Sequence, residues 1–144
     1  MKLLFSCLVG GALLVACQRK PAPLASAPIK ECYLSADGRD TVSLSYEQKG
    51  DTISGRLRYK NYEKDSSAGT VTGEVRGDTL VLEYTFQSEG MTSISQLAFL
   101  KKDEQLVQGF GPIEEKDGKV TFKELAQVKF DQQSVVLKKI NCED

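Results

Sequence analysis

The chain contains no histidine and no tryptophan. Without histidine, nucleophilic sites of the Ser-His-Asp or Cys-His kind cannot be assembled in their usual forms, and a transition-metal centre loses its commonest ligand. No glycine-rich stretch ends in Gly-Lys-Ser or Gly-Lys-Thr, so a phosphate-cradling P-loop is excluded. Neighbouring acids occur, as at Glu63 with Asp65 and Glu114 with Glu115. A glycosidase needs its two carboxylates across a cleft, and these read instead as solvated turn acids. Charge of one sign is also missing. Nineteen bases against twenty acids give a net charge of −1, interspersed along the chain, with no basic footprint for nucleic acid and no polybasic patch for anionic lipid. No catalytic residue, cofactor or metal is expected, and the chain reads as a non-enzyme.

Long apolar runs are confined to one place, Leu3 to Val15, which follows Lys2 and is interrupted only by Ser6 and Cys7. It falls short of the roughly 20 residues that span a bilayer, so it reads as the core of an export signal rather than a membrane helix. The next stretch, Gln18 to Lys30, sets Pro21, Pro23 and Pro28 among alanine and serine without any apolar period. It reads as an extended, semi-rigid linker.

Four cysteines are present. Cys7 lies in the export signal. Cys32 and Cys142 stand almost at the two ends of what remains, and an exported protein meets an oxidising compartment. One intramolecular pairing is open to them, with two free thiols as the alternative.

From Glu31 onward the apolar period is two, the period of a strand with one buried face. Thr41–Gln48 sets Val42, Leu44 and Tyr46 against Ser43, Ser45 and Glu47. Thr52–Lys60 sets Ile53, Leu57 and Tyr59 against Ser54, Arg56 and Arg58, with Gly55 on the apolar side making room for a neighbour. Gly69–Arg76 places Val71 and Val75 inward. Thr79–Gln87 opposes Leu80, Leu82, Tyr84 and Phe86 to Val81, Glu83 and Thr85. Ser93–Lys101 is apolar on both faces, so it is either buried on both sides or bulged. Gln105–Phe110, with Leu106 and Phe110 together, then Val120–Phe122 and Ser134–Ile140, complete the series. Gly-Asp turns recur, with Lys49-Gly-Asp-Thr-Ile53 echoed in Arg76-Gly-Asp-Thr-Leu80, as hairpin chemistry reused. Only Lys123–Asp131 could hold a turn of helix.

About eight short antiparallel strands in sequential hairpins form a meander. Left flat, it would expose two raw edges. Closure into a small up-and-down, lipocalin-like barrel removes both and brings Cys32 and Cys142 together across the seam. A sandwich is the alternative. The expected organisation is an export signal at 1–16, a tether at 17–30 and an all-β barrel at 31–144, acting as a monomer.

Candidate binding residues fall in three groups. Arg56, Arg58, Tyr59, Tyr62, Glu63 and Asp65, with Lys64 between them, mix aromatic rings with both charge signs at a strand end and loop, as recognition loops do. Glu89 lies in the turn Ser88-Glu89-Gly90-Met91. Gln96 and Gln108 interrupt apolar strands. If both point inward the barrel interior is partly polar and suits a small apolar or amphipathic ligand; if outward, the interior is packed. Gly109-Phe110-Gly111-Pro112 could line the barrel mouth. The two functional readings are a lumenal ligand carrier and a protein-interaction module, such as an inhibitor of an envelope enzyme, acting through Arg56–Asp65.

Two resemblances add to this. Leu14-Val15-Ala16-Cys17 resembles the lipobox of bacterial lipoproteins. That implies cleavage after Ala16, a diacylglyceryl thioether on Cys17 and often an acyl chain such as palmitate on its amine. Two or three chains hold a protein firmly, at about 0.8 kcal/mol per buried methylene. Gln18, in place of an aspartate that would retain the protein at the inner membrane, points to the outer membrane. The stretch Asp51–Gly111, through Gly55, Tyr59, Glu63-Lys64-Asp65, Gly77-Asp78-Thr79-Leu80, Ser88-Glu89-Gly90-Met91 and Gly109-Phe110-Gly111, is similar to a group of small lipoproteins from Gram-negative, Bacteroidetes-like bacteria. That likeness implies no catalytic role. Lipoprotein inhibitors of c-type lysozyme share the size, barrel and disulfide, but their Ser-Gly-x-x-Tyr loop is one residue shorter than Ser54–Tyr59 here.

Overall fold

The computed structural model describes residues 26–63, 65–131 and 134–143. The export signal, the lipobox cysteine, the tether through residue 25, and Lys64 lie outside the described residues. Ten strands run in order: β1 (Ile29–Asp37), β2 (Asp40–Lys49), β3 (Thr52–Lys60), β4 (Ser67–Arg76), β5 (Thr79–Ser88), β6 (Met91–Lys102), β7 (Gln105–Gln108), β8 (Ile113–Lys116), β9 (Lys119–Phe122) and β10 (Val136–Ile140). The helical content of the described residues is one 3-10 turn, Leu125–Gln127, in the segment expected to be irregular.

Eight of these strands close an antiparallel barrel. β1 to β7 pair in sequence, β7 pairs β10, and β10 returns to β1. The closing register is Cys32↔Ile140, Tyr33↔Lys139 and Leu34↔Lys138. The seam carries the Cys32–Cys142 disulfide, which spans 110 residues of sequence. Tight turns make the meander possible. Between β5 and β6, Glu89 and Gly90 both have positive φ, 50° and 79°, the geometry whose twist matches paired antiparallel strands.

The expected alternation is realised. Val42, Leu44 and Tyr46 of β2, Ile53 and Leu57 of β3, Val71 of β4, Leu80, Leu82 and Tyr84 of β5 and Phe99 of β6 all enter one buried cluster, joined by Tyr33, Leu106 and Leu137. Stacked Tyr33 and Tyr46 rings, 6.0 Å apart, fill one half of the interior, and Tyr84 lies 4.7 Å from Phe86 in the other. Glycines let the wall bend this tightly. A Cβ on Gly55 would lie 2.2 Å from Ser45 O and 2.7 Å from Tyr46 Cβ, and one on Gly69 would lie 2.0 Å from Thr85 O. No side chain fits at that distance, so these positions are corners of the barrel.

Three sequence expectations need correction. The first barrel strand is not Thr41–Gln48 but Ile29–Asp37, which begins within the stretch expected as a tether and contains Cys32. Val120–Phe122 does not belong to the barrel. It is β9, which forms a hairpin with β8 outside and meets β6 through a single parallel bridge, Ser95↔Val120. Phe110 does not share Leu106's burial. β7 ends at Gln108, and Phe110 is 53% exposed and bridges only to Lys129. The hairpin explains the two-faced β6. Lys119 donates to Glu83 at 2.6 Å, Phe122 N–H donates to Gln96 Oε1 at 3.1 Å, and the outward pair Val81↔Ala98 is buried.

Two stability outcomes follow. Replacing both Cys32 and Cys142 with alanine should lower unfolding stability by about 4 to 5 kcal/mol, the chain-entropy value for a loop of roughly 100 residues. Urea denaturation of the two proteins checks it, and an unchanged midpoint would contradict a seam clamp. Gly69→Ala should cost about 2 kcal/mol or more through forced backbone displacement, whereas Thr70→Ala, one residue on and facing solvent, should cost less than about 0.5 kcal/mol.

Candidate binding surfaces

One end of the barrel is plugged by a charge cluster. Glu31 is 7% exposed and faces inward from β1. Its Oε2 accepts from Lys101 Nζ at 2.7 Å, from Tyr33 OH at 3.2 Å and from Tyr46 OH; Lys139 Nζ donates to Oε1 at 3.0 Å. The lysines come from the ends of β6 and β10, each two residues beyond an inward apolar residue, Phe99 and Leu137. Burial works to raise the Glu31 pKa, but the hydrogen bonds from Lys101, Tyr46 and Lys139 outweigh it and hold the carboxyl down to about 2. Burial, then the Glu31 carboxylate, push the Tyr46 hydroxyl well above the ordinary phenol range. The hydrogen bond with Glu31 raises Lys139. An acid with two bases and two phenols, all satisfied, is a structural plug rather than a reactive pair. It was absent from the sequence candidates. Its trace was there in Lys101 and Lys139, which continue the inward faces of their strands.

The other end of the lumen is aromatic and less completely satisfied. Tyr59 and Tyr84 meet edge to face at 6.0 Å, and Tyr84 OH donates to Ser67 Oγ at 3.0 Å. Tyr59 OH and Gln108 Oε1 are both buried and unpartnered. Burial drives the Tyr59 hydroxyl up, and the nearby Gln108 side chain moderates the rise.

The candidate residues therefore part company. Tyr59 and Gln108 point into the barrel. Gln96 points out and binds Phe122 N–H. Tyr62 lies in the β3–β4 loop, with the Arg39 guanidinium 4.1 Å over its ring and its N–H donating to Asp40 at 2.7 Å. Glu63 holds a turn at φ 55°, and Asp65 offers its carbonyl to Asn61. Glu89 occupies the β5–β6 turn. Lys64 lies outside the described residues.

Arg56 and Arg58 point outward from β3 into a half-open groove of about 840 Å³ on the outer wall. Cross-strand register builds that groove in rows. One row runs Leu34, Ser43, Arg58, Ala68 and the next runs Cys32, Ser45, Arg56, Thr70. Ile140 and Asn141 close its β10 side, with Glu143 beside them. Lys138 continues the first row beyond Leu34. Among the described residues, the side chains of Arg56, Arg58 and Lys138 make no hydrogen bond or ion pair. On the opposite wall Lys119 pairs with Glu83 at 2.6 Å. The groove thus joins free guanidinium groups, hydroxyls and an apolar floor of Leu34, Ile140 and the disulfide.

No group of three or more acids or cysteines that could hold a metal occurs among the described residues. Compared with protein-family models, curated proteins and solved structures, the chain matches none.

The plug makes stability depend on acid pH. Glu31 has a folded pKa near 2 against an ordinary 4.5. Its contribution is complete above pH 4.5 and is lost as pH falls through 2. Glu31→Gln should lower stability at pH 7 and flatten the acid limb of a stability–pH profile between those values. An unaltered acid limb would place the acid sensitivity elsewhere.

Proposed function

We propose that the protein is a lipid-anchored, non-enzymatic binding module of the bacterial envelope, and that it works through the outer wall rather than a chemical centre. Anchoring rests on the Leu14–Cys17 motif. Because β1 begins at the plugged end, a tether ending near residue 28 would turn that end toward the membrane and leave the side wall accessible. The observation that carries the binding reading is the groove in which Arg56 and Arg58 stand unpaired beside Ser43, Ser45 and Thr70. Two adjacent guanidinium groups bordered by hydroxyls and without a counter-charge of their own form a surface that a partner of opposite charge complements.

A second reading, a small amphipathic ligand in the lumen, is favoured by the unpartnered Tyr59 OH and Gln108 Oε1. Buried polar atoms without partners are rare, and a bound polar group would satisfy them. Against it, the interior positions are occupied by Tyr33, Tyr46, Phe99 and their neighbours, packed to near-zero exposure.

Cys17→Ala should shift the protein from the membrane fraction to the soluble envelope fraction. A photo-crosslinking residue placed in the groove at Ala68 should trap a partner in whole cells, and one at Glu115 on β8 should not. The trapped band should disappear when Arg56 and Arg58 are both changed to glutamine. Equal bands at both positions, or a band indifferent to the arginines, would count against the groove.

A further inference from the structure

Resting on the groove reading, we propose that the natural occupant is an extended acidic segment of a partner protein, with carboxylates two residues apart lying on Arg56 and Arg58. The argument is one of pitch, charge and pairing. Arg56 and Arg58 are two residues apart on one face of a strand, so their Cα atoms stand roughly 6.5–7 Å apart along β3. An extended chain lying along the wall repeats its own same-face side chains at that spacing. Acids at alternate positions therefore meet the two guanidinium groups in register, and each can be gripped bidentately.

The flanking chemistry fits the same occupant. Ser45 and Thr70 border Arg56, and Ser43 borders Arg58. These hydroxyls can serve the remaining carboxylate lone pairs or the partner's backbone. Lys138 lies on the same face at the far end of the Arg58 row, beyond Leu34, and adds a third free cation. Glu143 lies at the β10 side of the groove, while beyond the Arg56 row Glu47 stands opposite Lys30. Glu143 would repel acids that strayed to its side of the arginines and so help fix register.

The groove crosses the interior of the sheet, where β1 to β4 are paired on both sides. A docked segment gains no ladder hydrogen bonds, in contrast to strand addition at an edge. Recognition must come from side chains, which makes acid spacing the discriminating variable. The half-open shape favours a chain running through it over an enclosed small molecule.

The test uses the full chain purified from membranes in mild non-ionic detergent, with fluorescence anisotropy as readout. Two labelled peptides of roughly ten residues and identical composition are compared, one alternating glutamate with threonine, the other carrying its glutamates in one block. At low salt the alternating peptide should bind at least about threefold tighter. Arg56→Gln and Arg58→Gln should each weaken it by about two- to fivefold, the range for an exposed ion pair. The double change should remove the preference for alternation, and Lys119→Gln on the opposite wall should leave it intact. Circular dichroism of the variants confirms the fold.

Equal binding of the two peptides, or a preference that survives the double change, would overturn the acidic-segment assignment. So would binding of phosphatidylglycerol vesicles through Arg56 and Arg58 without peptide binding, which would give the groove to a lipid phosphate. If Ala68 crosslinks still depended on the arginines while either result was obtained, the groove would stand as a binding surface and only its occupant would be wrong.

Discussion

Ring closure is the constraint on which the rest of the structure depends. A strand meander leaves two rows of unpaired amide and carbonyl groups, one at each end. Here β1 and β10 meet over three registered pairs and join the two ends of the meander. The disulfide sits at this seam and joins residues 110 positions apart in the chain. The short strand β8, outside the barrel, leaves an edge whose Ile113-Glu114-Glu115-Lys116 is exposed throughout. Its charged side chains discourage further pairing there.

Closure also decides where polar chemistry can reside. Eight strands leave an interior just wide enough for side chains, and bulky residues fill it. The end at which β1 begins holds Glu31 between Lys101 and Lys139, with two tyrosine hydroxyls completing its hydrogen bonds. Burying a carboxylate alone would be prohibitive, so the charge is held at the rim, where each lysine remains about one-third exposed. With the lumen filled and one end sealed, the broad polar surface available to a partner is the outer wall. The two unpaired arginines lie there.

Much of the barrel was legible in the sequence because its strands are half-buried, and a half-buried strand writes its orientation as a period of two. β2 through β5 were readable on that basis down to the inward residues. β1 was not, because prolines precede it and because its inward positions hold Glu31, which looks solvent-facing in one dimension. The β8–β9 hairpin was misplaced for another reason. Val120–Phe122 reads as a strand and is one, but nothing local says that it docks outside on β6 rather than continuing the ring. The candidate site was legible in part. Alternation already set Arg56 and Arg58 on the face opposite Tyr59, so one recognition loop comprising all three was geometrically excluded. The groove itself depends on which strands are neighbours and on the inward bend at Gly55 and Gly69, and neither is local information.

The account rests most directly on the join between the first and last barrel strands. Its sharpest measurement is solution NMR of the labelled protein, reading amide exchange and cross-strand nuclear Overhauser effects for Tyr33 and Lys139. A closed barrel predicts slow exchange on both β1 and β10 and direct contacts between the paired residues Tyr33↔Lys139 and Cys32↔Ile140. Rapid exchange along the β10-facing side of β1, with no contact between those pairs, would show an open sheet and contradict the closed wall on which the groove is built.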